Sequence, residues 1–345
     1  MRLQAGDWTN ALLGSASSAA VTVASSLYSV LKSVSTHSKV AQHGDVTKPV
    51  TRLRRQDLFN AAWRGDIRQL DVILHRSILD VNTPNEDGLT PIFLAAEAER
   101  VDVIRYFHSL QAELNVQSAL GRTPLMHAVR SGKHLSAQTL LELGADVSIT
   151  CPSDGCTALV YAVARSDAEM VQLLLKHGAC ASVVTRSGET PLTMAVANDC
   201  FDVARALVFR LTRHDVNFRL RDGTTPLMLA SRSRCERVAF LLLNFGACVN
   251  ARRDDGDSAL LIACAHGSYD VMALLLSAGA DVQVRNSCGM TCMQLASLYP
   301  QRPALRELLE RYGATLNLSL TSRMCDVIKR VYHQHYSHQI TARTT

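Results

Sequence analysis

The sequence predicts an all-α fold, a solenoid of about eight stacked helix-turn-helix units joined by β-turns or short hairpins. Near-copies of one stretch recur, as in LGRTPLMHA from Leu120, SGETPLTMA from Ser187 and DGTTPLMLA from Asp222. An apolar stripe at helical spacing follows each copy. A glycine near the start of each copy recurs in steps of 33, 34, 33, 35, 33 and 33 residues, at Gly88, Gly121, Gly155, Gly188, Gly223, Gly256 and Gly289. A fixed period of this length is typical of stacked repeat proteins.

The start of each unit predicts a tight turn followed by a first helix. In NEDGLTPIFLAA, Gly88 permits the positive φ of the turn, the Thr90 hydroxyl is expected to cap the helix, and Pro91 fits the first helical position. A small residue then lets neighbouring first helices approach closely, at Ala95, Ala128, Ala162, Ala195, Ala230, Ala263 and Ala296. The sequence therefore predicts a closely packed layer of first helices.

The second half of each unit predicts a second helix that ends at a glycine. In AEMVQLLLKHGA an apolar stripe runs from Met170 to Leu175, and Gly178 marks the stop. The same stop recurs at Gly144, Gly246, Gly279 and Gly313. Two units differ, since Gln111 replaces the glycine in one and Arg213 in the unit with the 35-residue step. The form of the connection stays open at both places.

The two ends of the array have their own patterns. The stretch from Asp57 to Leu74 has the two-helix pattern of one unit but lacks the glycine that opens the other units. This is typical of a terminal unit whose outer face meets water. At the other end, Tyr299-Pro300 interrupts a loop, and residues 318–332 are predicted to form one more helix. We therefore predict a repeat domain at 51–316, between a Ser/Ala-rich segment at 1–50 and a C-terminal helix and tail at 317–345.

From about Asn85 to Gly313 the chain resembles the ankyrin repeat family, because a 33-residue period carries Thr-Pro-Leu at the same phase. The resemblance implies a protein-interaction solenoid whose turn tips and exposed first-helix faces carry specificity. The family's histidine after Thr-Pro-Leu is absent, which predicts a less rigid stack; in its place are Phe93, Met126, Val160, Thr193, Met228, Leu261 and Gln294. His127, one place later, is expected to be a packed histidine.

The repeat phase also predicts which side chains face a partner. The projected surface is acidic at its N-terminal end, with Glu86, Asp87 and Glu97, and basic in the middle. The candidate partner contacts are Arg122, Arg130, Arg165, Arg186, Arg221, Arg232, His266 and Tyr299. The planar fork of arginine suits carboxylates, so the expected partner is an acidic peptide or loop. The alternative is a solvated face that only keeps the stack soluble.

Composition limits the other function classes. A formal net charge of +5 on 345 residues is too small for an electrostatic nucleic-acid binder. Ten cysteines without a convincing signal peptide predict a reducing compartment, the cytoplasm or nucleus, and their spacing fits no zinc site. No nucleophile-base pair or phosphate-binding loop is recognisable, so we expect neither catalysis nor a cofactor. A monomer is expected.

Two short motifs need separate interpretation. Asn82, after Asp80-Val81, resembles ankyrin asparagines that an oxygen-dependent hydroxylase modifies, with Asn217 and Asn250 as weaker candidates. The alternative is an asparagine that bonds only its own turn. The tetrapeptide RVAF at 237–240 resembles a phosphatase-docking motif, but we expect it within a second helix with Val238 facing the core.

The N-terminal segment has apolar residues at alternating steps of four and three between Ala16 and Val34. If helical, residues 11–34 are amphipathic, with a serine-rich polar face like that of lipid-packing sensors. This pattern predicts weak membrane association, and the favoured alternative is a disordered tail.

The C-terminal segment SLTSRMCDVIK supports another function. Leu320, Met324 and Ile328 follow at steps of four, which resembles the Elongin-binding half of a suppressor-of-cytokine-signalling box. That resemblance implies a substrate receptor of a cullin-type ubiquitin ligase. The family's cysteine falls on Met324, and no Leu-Pro-x-Pro segment follows, so a simple capping helix is the favoured alternative.

Overall fold

A computed structural model describes residues 55–76, 79–297 and 303–314. The described residues form eight pairs of helices and one additional short helix. This confirms the predicted all-α solenoid of about eight units. Units 1 to 4 contain α1 and α2 (Arg55–Arg64, Ile67–Arg76), α3 and α4 (Pro91–Glu97, Val101–Ser109), α5 and α6 (Pro124–Arg130, His134–Glu142), and α7 and α8 (Ala158–Ala164, Ala168–Lys176). Units 5 to 8 contain α9 and α10 (Pro191–Ala197, Phe201–Val208), α12 and α13 (Pro226–Ser233, Glu236–Asn244), α14 and α15 (Ala259–His266, Tyr269–Ser277), and α16 and α17 (Cys292–Ala296, Pro303–Arg311). The short helix α11 (Arg213–Val216) follows unit 5.

The helices form two layers, because first helices pack on the first helices of neighbouring units and second helices on second helices. The predicted row of small residues lies at the centre of the first layer, where all seven alanines are fully buried. A second helix contributes larger apolar side chains, and in α8 Met170, Val171 and Leu174 are fully buried. Each unit thus buries its apolar face only against its neighbours, as in a linear repeat array.

Short hairpins connect one unit to the next. In the first of them the Asn85 N–H donates to the Leu89 carbonyl at 2.8 Å. Adjacent hairpin tips are joined by backbone bonds, as between the Ala119 N–H and the Asp87 carbonyl at 2.9 Å. Isolated antiparallel bridges pair Arg252 with Ser258 and Arg285 with Thr291, and the described residues form no longer strand.

The first helices are capped in two ways. The hydroxyls of Thr123, Thr190, Thr225, Ser258 and Thr291 accept a backbone N–H of the helix that follows. The predicted cap at Thr90 is wrong, because the Phe93 N–H bonds the Thr90 carbonyl and the buried hydroxyl has no hydrogen-bond partner among the described residues. Thr193 and Gln294, two replacements for the family histidine, each accept the backbone N–H of their N-cap threonine at 2.8 and 2.9 Å. These two units therefore keep a side-chain bond at the start of the helix.

The ends of the second helices are regular except in unit 5. Gly144 and its equivalents have positive φ, and Gln111 adopts the same left-handed conformation with φ 63°. The sequence left the form of the connection at Arg213 open, and the structure shows that Arg213 does not lie at the end of a second helix. Helix α10 already ends at Val208, and Arg213 begins α11, which is capped by reciprocal bonds between Thr212 and Asp215. The two additional residues of the 35-residue step therefore form part of an extra helical turn.

At the N-terminal end, α1 and α2 form the predicted terminal pair, with Leu70 and Ile73 fully buried. The serine-rich N-terminal segment, the Tyr299-Pro300 loop, the C-terminal helix and the box-like motif lie outside the described residues. In the part of the chain that the structure describes, no helix is both long and apolar enough to cross a membrane.

Candidate functional site

The exposed edge of the first-helix layer carries basic side chains at two repeat positions. Arg130 lies seven residues after its N-cap threonine, and Arg232 occupies the same position in unit 6. Arg165 and His266 lie eight residues after their N-cap residues. Arg165 is exposed, whereas the other three are half-buried. Four of the candidate contact residues therefore lie on this edge, and three of the four are partly shielded from water.

Arg122 belongs to a hydrogen-bonded network at the hairpins of units 3 and 4. Its Nε donates to the Tyr161 hydroxyl at 3.4 Å, and its guanidinium carbon lies 5.8 Å from the centre of the Tyr161 ring. The Tyr161 hydroxyl donates to Asp154 Oδ2 at 2.7 Å. Burial pushes the Asp154 pKa upward, but hydrogen bonds from Cys156 and Tyr161 hold that pKa below its ordinary value. Arg122 Nη1 is buried without a hydrogen-bond partner among the described residues, so this candidate contact residue is only partly open to solvent.

His127 is packed, as predicted, and lies beside the same arginines. Its ring contacts Phe93 edge-on, with 5.0 Å between ring centres. Burial, and then the charges of Arg122 and Arg130, lower the His127 pKa to about 4, so the imidazole is neutral at pH 7. Burial raises the pKa of the nearby Glu97 carboxyl, although Arg130 and Lys133 oppose that shift. We call Arg122, His127 and Arg130 the first basic cluster.

A second basic cluster, comprising Arg232, Arg234 and His266, lies at units 6 and 7. His266 Nδ1 is 2.9 Å from the Ile262 carbonyl oxygen. Burial lowers the His266 pKa, the Ile262 carbonyl opposes the shift, and Arg234 and Arg232 lower it further. The charges of both arginines therefore act on the His266 ring.

The two clusters do not form one continuous row. At the position of Arg130 and Arg232, units 4 and 5 have Ala164 and Ala197. Packed helices lie 8–10 Å apart, so three unit steps separate the clusters by roughly 25–30 Å. A partner that contacts both must span that distance.

Some predicted contact residues also join neighbouring units. Arg165 Nη1 donates to the Arg130 carbonyl at 2.9 Å, and Arg221 Nη2 donates to the Arg186 carbonyl at 3.1 Å. These carbonyls lie at a helix end and a hairpin, where backbone acceptors need partners from outside the helix. Arg165 and Arg221 therefore have a structural role that the sequence did not reveal. Arg186 is exposed, and Tyr299 lies outside the described residues.

Asn82 bonds the next unit rather than its own turn, so that alternative interpretation is wrong. Its Oδ1 accepts the Glu113 N–H at 2.9 Å. The same bond between units recurs at Asn115, Asn217 and Asn250, at 2.8, 2.6 and 2.9 Å. The carbonyl oxygen of the side chain is thus engaged in stacking. Hydroxylation of Asn82 stays a prediction.

Sequence reasoning missed Tyr161 and Asp154, which hold Arg122. Tyr161 occupies the repeat position of His127, four residues after the N-cap, where units 2 and 6 have Leu94 and Leu229. Polar groups at an otherwise apolar position in two consecutive units were the available signal. Within RVAF, Val238 is fully buried in α13, as predicted.

The described residues contain no group of three or more His, Cys, Asp or Glu side chains placed to hold a metal ion. Nine of the cysteines lie in these residues, and all nine are free thiols. Cys264 is fully buried, and burial raises its pKa well above the ordinary value. Four of the nine, Cys151, Cys235, Cys264 and Cys292, are buried packing residues, whereas Cys180, Cys248 and Cys288 are exposed.

Comparison with known proteins agrees with this architecture. The model of the ankyrin repeats (3 copies) family matches residues 58–151, 147–219 and 206–286. The chain is 30% identical to the fowlpox virus ankyrin repeat protein FPV031 over 44% of this chain and 46% of that protein. It is 33% identical to human neurogenic locus notch homolog protein 2 over 50% of this chain and 6% of that protein.

Among solved structures, the ankyrin repeat domain of Bcl-3, a member of the IkappaB family, superposes with a TM-score of 0.57 at 26% identity, covering 65% of this chain and 100% of that domain. The chain spans less than half the length of each curated relative named above. The period, the paired helices, the hairpins and the family match together show that the chain belongs to the ankyrin repeat family.

Proposed function

We propose that the chain is a scaffold or adaptor of the cytoplasm or nucleus whose first-helix edge binds an acidic segment of a partner protein. Ankyrin repeats are protein-protein interaction modules and are generally non-catalytic. The observation that carries the choice of an acidic partner is the pair of basic clusters on one edge of the stack, in which every residue except Arg234 is half-buried. A carboxylate that reaches such a cluster forms charge-assisted hydrogen bonds with less competition from water than on an open surface.

The first basic cluster supports this proposal most strongly. Arg122 Nη1 and His127 Nε2 are both buried without hydrogen-bond partners among the described residues. Buried polar groups in folded proteins are nearly always satisfied, and leaving one unsatisfied costs about 1–3 kcal/mol. Arg130 lies under the influence of two carboxylates, Glu97 and Asp154, and Glu97 is shared with Lys133. An additional carboxylate from a partner would balance that charge.

The hairpin tips of units 6 and 7 are less suitable for acidic ligands. Arg219 lies 3.7 Å from Asp254, and Arg253 lies 3.9 Å from Asp222, so the arginines there already face carboxylates of the chain. The acidic segment is therefore directed to the edge of the first helices. Because an extended chain rises about 3.3 Å per residue, a gap of roughly 25–30 Å corresponds to about eight residues between two acidic groups.

A peptide experiment tests the proposal. The probe is a fluorescent twelve-residue peptide with two glutamates at each end, measured by fluorescence anisotropy against the full chain. We expect Arg130→Gln and Arg232→Gln each to weaken binding about tenfold, since each removes a charged hydrogen-bond donor. Arg68→Gln, which removes an exposed arginine from α2, is the matched control and should leave the affinity unchanged.

Three results decide the outcome. Equal weakening by all three variants would indicate a nonspecific effect of net charge and contradict the proposed site. No effect of Arg130→Gln or Arg232→Gln would also contradict it. A peptide whose two glutamate pairs are about eight residues apart is also compared with one whose four glutamates are adjacent. Tighter binding of the first peptide would support simultaneous contact with both clusters.

A further inference from the structure

The second helix of unit 5 departs from the other units at its C-terminal end. Positions are counted from the first residue of each second helix. In unit 5 the ninth position is Phe209, directly after the last helical residue Val208, and the tenth is Arg210. In units 2, 3, 4, 6 and 7 the ninth position is polar, with Ser109, Glu142, Lys176, Asn244 and Ser277. The tenth position is apolar in units 2 and 3, with Leu110 and Leu143. Unit 5 therefore has an aromatic ring where its neighbours have a polar group, and a charge where two of them have leucine.

Phe209 is the most exposed large apolar side chain in the described residues, with 68% of its surface accessible. Its ring meets Phe245 of unit 6 edge-to-face, with 5.1 Å between ring centres. This contact orients the ring without covering it. An ordered, exposed aromatic residue beside a cavity is typical of a binding surface.

A groove of about 330 Å³ lies between α8 and α10, on the opposite face of the stack from the basic clusters, and its lining is Gln172, Leu175, Arg205, Ala206, Phe209 and Arg210. Leu175, Ala206 and Phe209 are the apolar part of this lining, while Gln172 and the exposed Arg205 and Arg210 are its polar part. No carboxylate is among the lining residues. Arg205 Nη2 lies 3.5 Å from Asp202 Oδ1. This ion pair is long and exposed, so a partner carboxylate with better geometry would displace Asp202 at little cost.

We propose that this Phe209 groove is a second docking site, which binds a partner protein segment with one large apolar side chain flanked by aspartate or glutamate. The apolar side chain packs against Phe209 and Leu175, and the acidic residues pair with Arg205 and Arg210. Exposed aromatic and arginine residues are the types most enriched in binding hot spots. The site is independent of the first-helix edge, because it involves only α8, α10 and the residues that follow α10.

The charges of the chain itself exclude other occupants. Residues 1–54 contain six Lys or Arg and two Asp, and residues 315–345 contain four Lys or Arg and one Asp, so both segments are basic. Neither complements two arginines. A second copy of the chain, related by a twofold axis through the groove, would bring Arg205 and Arg210 against the same arginines of its partner. An acidic segment of a different protein fits the charges.

The test uses the full chain and a fluorescein-labelled twelve-residue peptide in which Phe and Leu are flanked by two glutamates on each side. Binding is measured by fluorescence anisotropy. Phe209→Ser gives unit 5 the type of residue found in its neighbours, and we expect at least tenfold weaker binding. Arg205→Gln with Arg210→Gln should weaken binding three- to tenfold. Phe240→Ser removes another exposed aromatic ring, from α13, and should have no effect.

The controls separate this site from the proposed function. Arg130→Gln should leave the affinity for this peptide unchanged, so each site can fail independently of the other. The proposal is overturned if the peptide shows no saturable binding, if Phe209→Ser binds as tightly as the natural chain, or if a peptide with glutamines in place of glutamates binds equally well. It is also overturned if light scattering shows a dimer that Phe209→Ser converts to a monomer, since the groove would then join two copies.

Discussion

The two sides of the repeat stack join neighbouring units in different ways. On the hairpin side, tips such as residues 85–89 approach the next unit by backbone, and an added Cβ at Gly88 would lie 2.8 Å from the Ala119 nitrogen. On the helix-end side, at the ends of the second helices, Gly144 also has positive φ but has no neighbour within 4 Å of an added Cβ. A glycine with the same conformation therefore lies against the next unit at Gly88 and forms only a turn at Gly144.

The largest effect is expected from Gly88→Ala. The left-handed backbone and the collision with Ala119 together should destabilise the fold by about 3 kcal/mol. Gly144→Ala has the strain without the collision and should cost about 1 kcal/mol. Urea unfolding of the two variants measures the difference. Equal losses of stability would break the distinction between the two sides.

A smaller effect concerns His127, the packed histidine of α5. The His127 pKa of about 4 in the folded chain lies below its ordinary value of 6.5. Stability is therefore complete above pH 6.5 and is lost as the pH falls toward 4, because the unfolded chain binds the proton first. We expect His127 to account for a loss of about 2 kcal/mol between pH 7 and pH 5.

The measurement compares unfolding free energies of the natural chain and His127→Leu at several pH values. Leucine occupies this position in units 2 and 6, so the variant should fold and should lose much less stability on acidification. His177→Leu is the control, because His177 is exposed at the end of α8. Parallel pH curves for the natural chain and His127→Leu would contradict the assignment.

The smallest effect should be a gain. Gln111 adopts φ 63° at a helix end where other units have glycine. Replacing it with glycine relieves the left-handed strain but adds flexibility to the unfolded chain, so Gln111→Gly should stabilise the fold by about 0.5 kcal/mol. A shift of the thermal midpoint to higher temperature checks the sign. A lower midpoint would show that Gln111 makes a contact that outweighs its strain.

The repeat period was enough to predict the units, their helix pairs and the buried alanines, because these features recur at every step. The same period left the connection at Arg213 open, since counting glycine positions cannot show that α10 ends at Val208 and that a new helix begins five residues later. It placed Arg165 and Arg221 on the surface, but their bonds to carbonyls of the preceding unit depend on side-chain paths. Arg122 is shielded because Tyr161, from the next unit, covers it. Side-chain contacts between units differ from one pair of neighbours to the next. A pattern that is common to all the units therefore cannot predict them.

The asparagine bonds of the helix-end side bear on how the chain would respond to tension. Four joints, those that begin at Asn82, Asn115, Asn217 and Asn250, have a side-chain tie to the following unit. At the two joints between these pairs the equivalent residues are serines, and their hydroxyls face their own turns: Ser148 donates to Asp146 at 2.6 Å, and Ser182 lies 3.4 Å from Cys180 Sγ. On this side of the stack, a pull along the array would load two blocks tied by asparagines and linked through two joints that lack this bond. Those two joints flank unit 4, and the Phe209 groove lies across the second of them, so a partner seated there would brace a joint that has no asparagine bond against tension.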